Sequence, residues 1–332
     1  MRLLGAGLLL VLAATGVAVA GAWGWLHEPL RLARDPVEVT IEPGATARDV
    51  AQAWVRGGVQ APPRLLYEWF RWSGDATRIR AGSCEIGAGA TPVSLLDKMV
   101  RGDVVIASVR LIEGWTFRQF RAELARNPAL KPTTQGLSDA QVMEKIGAPG
   151  IAAEGRFFPD TYSFSKNSSD LVVLRRAYQA MEQQLAAAWN ERAPDTPLKS
   201  PEEALKLASI IEKETGAASE RGQVASVFVN RLRIGMPLQT DPTIIYGLGE
   251  KFDGNLRKRD LTTDGPYNTY LRGGLPPTPI SMPGKASLMA AVRPDETRWL
   301  YFVARGNGTS QFSENLADHN RAVNQFQRGG RP

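Results

Sequence analysis

The sequence predicts an α+β protein in three parts: an N-terminal transmembrane helix (residues 1–27), a small βααβ module (residues 28–105) and a larger mixed α+β domain (residues 106–332). Three observations predict this organisation. An uncharged apolar run opens the chain, short strand and helix patterns follow, and longer amphipathic helical patterns come after them. Of the 332 residues, 43% are hydrophobic and 22% are charged, so the chain can bury a sizeable core.

The N-terminal run, residues 3–27, carries no formal charge and is long enough to cross a bilayer as a helix. Trp23 and Trp25 lie where aromatic side chains collect at a membrane interface. A cleaved signal peptide ending at Ala-Val-Ala (residues 18–20) is the alternative, but the run exceeds the usual signal-peptide core, which favours an uncleaved anchor. With Arg2 inside, the bulk of the chain is expected on the extracytoplasmic side of the cytoplasmic (inner) membrane.

A motif of strand, turn and capped helix then recurs. Residues 37–41 alternate like a strand and lead through Glu-Pro-Gly-Ala to Thr46, which begins a capping box. A second copy follows at an offset of 45 residues around Thr91, and a weaker third copy lies around Thr116. The first copy, with a helix at residues 63–72, resembles a LysM domain, a βααβ unit that binds N-acetylglucosamine-containing glycans. The alternative is a recurring structural unit without a function of its own.

The rest of the chain reads as one α+β domain. Residues 235–284 are rich in Gly, Pro, Thr and Asn and contain only short apolar pieces, which indicates loops. Residues 299–304 read as a strand. Helical patterns cover residues 138–146, 170–189, 201–214, 219–232 and 315–326.

The helix predicted at residues 201–214 carries an unusual carboxylate. Ser200 is its N-cap and Glu203 completes a capping box. At about 100° per residue, Glu212 falls on the apolar face, while Ser209 lies with the charged residues on the opposite face. Burial raises the pKa of a carboxyl, which suits a general acid. The alternative is a structural Glu paired with a buried Arg, and the helix alone favours that alternative.

Composition narrows the possible chemistry. The net charge of +6 comes without a dense basic block beyond residues 257–259, so nucleic acid is not an expected partner, although a carboxylate-bearing polymer would suit this charge. The single cysteine, Cys84, excludes an internal disulfide. With only His27 and His319, a His-rich metal site is not expected, and the chemistry is expected to rest on Asp and Glu.

Four segments place polar and aromatic side chains among Gly and Pro: residues 154–162, 211–215, 230–242 and 265–277. Aromatic faces cover the C–H faces of sugars, and amide or carboxylate groups bind hydroxyls, so such loops suit sugar binding. Taken singly, each segment also reads as an ordinary loop.

Taken together, four motifs resemble the YceG-like family, the membrane-anchored endolytic murein transglycosylases of bacteria. They are residues 208–215 (ASIIEKET), 227–236 (VFVNRLRIGM), 238–247 (LQTDPTIIYG) and 267–277, which begin with YNTY and end with GLPP. The similarity extends over nearly the whole chain. The resemblance implies a lyase that cleaves the β-1,4 bond between N-acetylmuramic acid and N-acetylglucosamine within a glycan strand. The muramyl C6 hydroxyl attacks C1 and leaves a 1,6-anhydro end.

The resemblance also implies that Glu212, the first glutamate of Glu-Lys-Glu, is catalytic. Hydrolases generally need two carboxylates, but here the second nucleophile belongs to the substrate, so Glu212 serves as acid and then as base. No metal or cofactor is implied. Glu214 points about 160° away around the helix and cannot pair closely with Glu212 unless the helix ends between them. The expected substrate-binding residues are Glu154, Asp160, Tyr162, Asn230, Gln239, Asp241, Tyr267 and Asn268.

Among these residues, Glu154, Asp160 and Asp241 are expected to stabilise the oxocarbenium-like state. The implied partners are peptidoglycan glycan strands, the inner membrane through the N-terminal helix and a peptidoglycan synthase, because the family is linked to termination of nascent strands. Two alternatives stay open: a non-catalytic peptidoglycan-binding scaffold of the cell-wall synthesis machinery, and a two-carboxylate muramidase that uses Glu212 and Glu154.

Overall fold

The computed structural model describes the backbone of residues 2–329 and the side chains of residues 12–329. Met1, residues 330–332 and the side chain of Arg2, on which the predicted orientation of the anchor rests, lie outside the described residues. The helices are α1 (Arg2–His27), α2 (Ala47–Gly57), α3 (Pro63–Trp72), α4 (Pro92–Arg101), α5 (Phe117–Arg126), α6 (Asp139–Ile146), α7 (Asp170–Asn190), α8 (Pro201–Glu214), α9 (Arg221–Arg233), α10 (Asp241–Leu248), α11 (Lys258–Thr262), α12 (Lys285–Val292) and α13 (Leu316–Phe326).

The strands are short and pair in twos, β1 with β3, β2 with β4, β5 with β7, β6 with β8 and β9 with β10. The chain is therefore mixed α+β, as predicted. Over the described residues, no helix has both the length and the apolar composition that crossing a membrane requires. The strands are β1 (Arg31–Leu32), β2 (Val37–Ile41), β3 (Val59–Gln60), β4 (Gly82–Ile86), β5 (Ile106–Arg110), β6 (Leu130–Lys131), β7 (Thr161–Ser165), β8 (Ser168–Ser169), β9 (Tyr301–Ala304) and β10 (Ser310–Ser313).

The chain divides into two compact units. The first contains the chain up to Ala107 together with Ala129–Lys131 and Ser163–Ser168. The second contains Ser108–Pro128, Pro132–Tyr162 and the chain from Ser169 onward. The limits of the three predicted parts stay a prediction.

The first unit contains the order β2, α2, β3, α3, β4, in which β2 and β4 pair antiparallel with Val39 opposite Cys84. Val37, Val39 and Ile41 are buried while the residues between them are half-buried, which is the alternation of a strand with one face on the core. Trp54 is fully buried, and its indole N–H donates to Met99 Sδ at 3.1 Å. The two residues at equivalent positions of the first two repeat copies therefore contact each other in the core.

The three repeat copies share one helix start. In each, a threonine side chain accepts the backbone N–H three residues later, and that residue's side chain accepts the threonine N–H. These capping boxes confirm the repeat at Thr46, Thr91 and Thr116. The glycine two positions before each threonine has a φ of +81°, +86° or +75°, a conformation that favours glycine.

The core of the second unit is built around α8, against which α12, α7 and α9 pack. Leu205, Ala208 and Ile211 are fully buried, as the apolar face predicted. Ser209, predicted on the charged face, is fully buried instead, and that prediction is wrong. Its hydroxyl accepts the N–H of Ile280 at 3.0 Å, because the loop before α12 covers this side of α8. A helix enclosed on several sides does not show the one-sided pattern of a surface helix.

The segment predicted as loops contains two short helices, α10 and α11, with Asp241–Pro242 at the first turn of α10. The helix α12 directly after it was also not predicted from the sequence. These helices have 5 to 8 residues. Such short helices are held by tertiary packing rather than by their own propensity, so periodicity does not reveal them.

Candidate active site

Glu212 lies in the last turn of α8, where its carboxylate has two partners. Oε2 accepts the backbone N–H of Gly284 at 2.9 Å, and Oε1 lies 3.9 Å from Nη2 of Arg221. The side chain is 8% exposed, so the carboxylate is nearly buried without being sealed in the core. The arginine brings a positive charge near one carboxylate oxygen, and the amide donates a hydrogen bond to the other. Sequence reasoning did not single out Arg221, whose only signal was its position at the start of a predicted helix.

Glu113 approaches Gly284 from a second side. A Cβ added to Gly284 would lie 1.8 Å from Glu113 Oε1, so a larger residue there would displace the end of the Glu113 side chain. Partial burial, and then the charge on Glu212, raise the pKa of Glu113, while Arg221 opposes the rise. We call Glu113, Glu212, Arg221 and Gly284 the Gly284 cluster. Sequence analysis missed Glu113, which stands immediately before the glycine of the third repeat turn.

The second glutamate of the motif has different surroundings. Glu214 accepts a hydrogen bond from the Thr240 hydroxyl, and its burial raises its pKa. Its neighbouring charges are Asp241 and Arg231, not the residues of the Gly284 cluster. Glu212 and Glu214 therefore do not form a close pair, as the helix geometry predicted.

A cavity of about 1180 Å³ opens in the second unit. It is larger than the roughly 300–1,000 Å³ of a typical small-molecule pocket, so it can hold an extended ligand. Its wall combines aromatic and aliphatic side chains with a few carboxyl, hydroxyl and amine groups. The lining residues are Thr116, Phe117, Arg118, Asp139, Ala140, Gly150, Ile151, Ala152, Ala153, Glu154, Lys213, Pro242, Ile245, Tyr246, Gly249, Glu250, Phe252, Tyr267, Thr278 and Ile280.

Glu154 is the half-buried carboxyl of this cavity. Oε1 accepts the N–H of Phe117, the first residue of α5, at 3.0 Å, and Oε2 accepts the hydroxyl of Tyr246 at 3.2 Å. Burial raises the pKa of Glu154 to about 7, although both hydrogen bonds oppose the rise. A carboxyl with such a pKa in a cleft can gain and lose a proton near neutral pH.

Two tyrosines form an aromatic wall beside Glu154. The rings of Tyr246 and Tyr267 meet edge to face with centroids 5.0 Å apart. The Tyr267 hydroxyl shares a hydrogen bond of 2.8 Å with Thr278. Tyr267 was predicted as a binding residue, whereas Tyr246 was not, because it lies inside an apolar stretch that gave no polar signal.

The Gly284 cluster and the cavity are connected through residues that are neighbours in the chain. Glu212 is not among the lining residues, but Lys213, the next residue, is. A Cβ placed on Gly114 would lie 3.8 Å both from Glu212 Cγ and from Lys213 Cδ, and the Lys213 ammonium donates to the Gly114 carbonyl at 3.4 Å. The turn at Gly114 thus borders both features and leads two residues later to the lining residue Thr116.

Three predicted binding residues brace loops with their side chains. The Asn230 amide donates to two backbone carbonyls of the segment before β9, each at 3.0 Å. The Asn268 side chain is buried and donates to the carbonyls of Leu261 and Thr263. The Gln239 side chain lies 3.5 Å from an Arg231 donor. These amides hold the fold of the site loops, and their contact with a substrate stays a prediction.

Three further predicted residues also lie outside the cavity lining. Asp160 is exposed and accepts the N–H of the next residue at 2.6 Å. The buried Tyr162 donates its hydroxyl to the Phe158 carbonyl at 2.7 Å. Asp241 accepts the Tyr270 hydroxyl at 2.6 Å. Of the eight predicted binding residues, the cavity brings together Glu154 and Tyr267. Across residues 12–329, no group of three or more His, Cys, Asp and Glu is arranged to hold a metal ion.

The sequence profile of the YceG-like family matches residues 39–325 of this chain. The chain belongs to the YceG-like family. The match includes Glu113, Glu154, Glu212 and Tyr267, so the cavity and the Gly284 cluster both lie in the shared region. The match begins at residue 39, so the first 38 residues of this YceG-like chain lie outside it.

Relatives and a solved structure agree with this membership. The chain is 29% identical over 319 residues to the endolytic murein transglycosylase of Bacillus subtilis, covering 91% of this chain and 88% of the relative. It is 25% identical to the endolytic murein transglycosylase of Streptococcus pneumoniae, covering 86% of this chain but 58% of that longer protein. A crystal structure of a YceG-like protein from Listeria monocytogenes has a TM-score of 0.54 and 28% identity, covering 86% of this chain and 98% of that one.

Proposed function

We propose that this chain is an endolytic peptidoglycan transglycosylase, a lyase that cuts glycan strands without water and leaves 1,6-anhydro-N-acetylmuramic acid ends. The observation that carries the proposal is the nearly buried carboxyl of Glu212, which directly precedes Lys213, a lining residue of a cavity of about 1180 Å³. Relatives named endolytic murein transglycosylase support the substrate and the reaction, because the Bacillus subtilis protein aligns with 91% of this chain.

In the proposed reaction, protonated Glu212 donates its proton to the glycosidic oxygen as the bond from that oxygen to C1 of the muramyl residue breaks. The muramyl C6 hydroxyl then bonds to C1, and the Glu212 carboxylate accepts the hydroxyl proton. The cycle returns the carboxyl to its starting state and consumes no water. The Arg221 guanidinium and the Gly284 N–H stabilise the carboxylate between the two proton transfers.

Glu154 and the two tyrosines are assigned to substrate binding. Ionised Glu154 stabilises positive charge on the sugar ring, and protonated Glu154 donates a hydrogen bond; a pKa of about 7 makes both forms available near neutral pH. The faces of Tyr246 and Tyr267 suit the C–H surfaces of sugars. Of the three carboxylates expected to stabilise the oxocarbenium-like state, only Glu154 lines the cavity.

The test is the product formed by the full chain on purified glycan strands, analysed by mass spectrometry. Wild-type protein is expected to release anhydro-ended fragments, and Glu212→Gln to reduce the rate about 10²–10⁴-fold, the usual contribution of a general acid–base residue. Glu144→Gln removes an exposed carboxyl on α6 and serves as the matched control. A folded Glu212→Gln protein with the wild-type rate would refute the assignment.

A two-carboxylate muramidase is the second candidate, favoured by the position of Glu154 inside the cavity and its pKa of about 7. It predicts fragments with reducing ends, one oxygen and two hydrogens heavier than anhydro fragments. A non-catalytic scaffold predicts no fragments. The same mass spectra therefore separate all three functions.

We also propose that residues 1–27 anchor the chain in the cytoplasmic (inner) membrane with the second unit on the extracytoplasmic side. The uncharged run and its terminal tryptophans support this proposal. Alkaline phosphatase fused after residue 329 is expected to be active, since that enzyme requires export, and the chain is expected to stay in the membrane fraction after carbonate washing. An inactive fusion, or release by carbonate, would refute the anchor.

The first unit is proposed to be a LysM-like glycan-binding module, supported by the two helices α2 and α3 that lie in the chain between β2 and β4 and by the antiparallel pairing of these two strands. Binding of N-acetylglucosamine oligomers to the full chain, followed by NMR of the first unit's residues, tests this proposal. Chemical-shift changes confined to the second unit would refute it.

Termination of nascent strands beside a synthase is proposed from the family resemblance. Cross-linking in cells, with a synthase among the products, is the expected result.

A further inference from the structure

Among the described residues, five charged side chains line the cavity, and four of them have partners. Arg118 donates to Glu250 at 2.8 Å, so these two lining charges offset each other. Asp139 accepts a hydrogen bond from Arg121 at 2.7 Å. Glu154 accepts hydrogen bonds from a backbone N–H of α5 and from a tyrosine hydroxyl. These four side chains therefore offer a ligand little free charge.

Lys213 is the fifth charged lining residue, and its positive charge is not paired. The side chain is exposed, and in the described part of the chain its ammonium forms no ion pair with a carboxylate. Its polar contact is a long hydrogen bond, 3.4 Å, to the Gly114 carbonyl. Since an ammonium has three N–H donors, donors remain for a ligand. The cavity therefore presents one cation that is suited to an anionic group.

Lys213 and Glu212 contact the same turn. A Cβ placed on Gly114 would lie 3.8 Å from Cδ of Lys213 and 3.8 Å from Cγ of Glu212, so the two side chains are neighbours there. A ligand group held by the Lys213 ammonium is therefore brought close to the residue that is proposed to donate and accept the proton.

Peptidoglycan carries carboxylates on only one of its two sugars. The lactyl group of N-acetylmuramic acid ends in a carboxyl, which is free in a denuded strand and amide-linked to the stem peptide in an intact strand. The stem peptide has carboxylates of its own, whereas N-acetylglucosamine has none. A lysine ammonium on its flexible stem binds such a group as a point charge.

We propose that Lys213 is a specificity-determining residue of the transglycosylase: its ammonium binds a carboxylate on the muramyl branch of the glycan strand. The lactyl group and the stem peptide are the two sources of that carboxylate. The inference rests on the proposed function for the identity of the strand. Binding through this branch selects strands that contain N-acetylmuramic acid and places a muramyl residue near Glu212, where its C6 hydroxyl has to react.

The experiment measures the Kd of end-labelled strands by fluorescence anisotropy, using the full chain with Glu212→Gln to slow cleavage. Three preparations are compared: intact strands, strands denuded by an amidase, whose carboxylates are all lactyl, and denuded strands amidated with carbodiimide and ammonia, which carry none. Adding Lys213→Gln is expected to raise the Kd about tenfold for a carboxylate-bearing preparation and to leave that for amidated strands unchanged. A rise with denuded strands assigns the lactyl carboxylate, and a rise confined to intact strands assigns the stem peptide.

Two variants control for other effects of the substitution. Lys213→Arg keeps the positive charge and is expected to keep the Kd near that of the Glu212→Gln protein. Lys145→Gln removes an exposed lysine from the last turn of α6, the equivalent helix position, but away from the cavity lining, and is expected to change no Kd. Because the contact is between charges, the effect of Lys213→Gln should also weaken as salt concentration rises. Circular dichroism verifies the fold of each variant.

The binding measurement keeps this inference separable from the proposed function. If wild-type protein makes no anhydro fragments, the proposed function fails, but the three Kd values still decide the role of Lys213. An equal rise in Kd for amidated and carboxylate-bearing strands would overturn the inference. So would an unchanged Kd with every preparation, or the same rise in Lys145→Gln.

Discussion

Glu154 makes the stability of the second unit depend on pH, and Glu154→Gln is the substitution that isolates this dependence. In the folded protein, burial raises the pKa of Glu154 from its ordinary value of 4.5 to about 7. Glutamine has a similar shape and stays neutral at every pH; its amide oxygen can accept the Phe117 N–H, and its NH2 group can donate to the Tyr246 hydroxyl oxygen. The two proteins therefore differ chiefly in the cost of ionising one half-buried carboxyl.

The direction and the size of the pH effect on the free energy of unfolding both follow from the raised pKa of Glu154. The stability associated with neutral Glu154 is fully present below pH 4.5, and it is lost as pH rises towards and through 7. Each tenfold change in the ionisation constant is about 1.4 kcal/mol, so the total loss is on the order of 3 kcal/mol. Glutamine does not undergo this loss, so the free energy of unfolding of Glu154→Gln should rise relative to wild type by that amount between pH 4.5 and 8.

The measurement is urea unfolding of both full-length proteins at half-unit steps from pH 4.5 to 8, followed by circular dichroism and tryptophan fluorescence. Glu144→Gln, at an exposed position on α6, controls for the loss of a surface charge. A difference between Glu154→Gln and wild type that stays constant over this range would refute the reasoning, because it would mean that Glu154 is ionised throughout.

Three further predictions concern the loops around the site. Tyr246→Phe removes a hydrogen bond that lowers the pKa of Glu154, so the Glu154 titration midpoint, read by ¹³C NMR, should move higher; a lower midpoint would contradict the contact. Gly284→Ala displaces only the end of the exposed Glu113 side chain and keeps the backbone N–H that binds Glu212, so a folded variant should keep a lytic rate near wild type, and loss of most of that rate would mean that the position of Glu113 matters for the reaction. Asn268→Ala leaves two backbone carbonyls without their amide donor, so unfolding in urea should show a loss of about 1–3 kcal/mol. If the Asn268 side chain acts only on the loop, the KM for glycan strands should stay near wild type, and a large rise in KM would support the predicted contact with the substrate.

Several features of the fold could be predicted from local sequence. The capping boxes at Thr46, Thr91 and Thr116 form as expected, because each depends on residues three positions apart. The predicted limits of α8 agree with the structure for the same reason, although Glu203 accepts the N–H of Lys199 rather than closing the box at Ser200. Helices α10 to α12 escaped prediction because their stability comes from packing rather than from periodicity.

The candidate site also contains some residues that the sequence predicted and others that it did not. The apolar face of one helix and the shortage of histidine were enough to select Glu212 as a carboxyl of interest, and the motifs around it pointed to the family. The amides of Asn230 and Asn268 hydrogen-bond to loop carbonyls, and the sequence alone does not separate a loop amide that binds a sugar from one that holds a loop, so their binding role stays a prediction. Tyr246 gave no signal at all within its apolar stretch.

The sequence by itself determined the helix that carries Glu212, the repeated capped turns and the family, because these depend on neighbouring residues and on ordered motifs. Only the tertiary structure decided what surrounds that carboxyl. Glu113 and Gly284 come from segments 99 and 72 residues away from Glu212 in the chain. Their approach depends on how the second unit packs, and charges act through space rather than along the chain. The charged and polar surroundings of Glu212 are therefore a property of the folded unit.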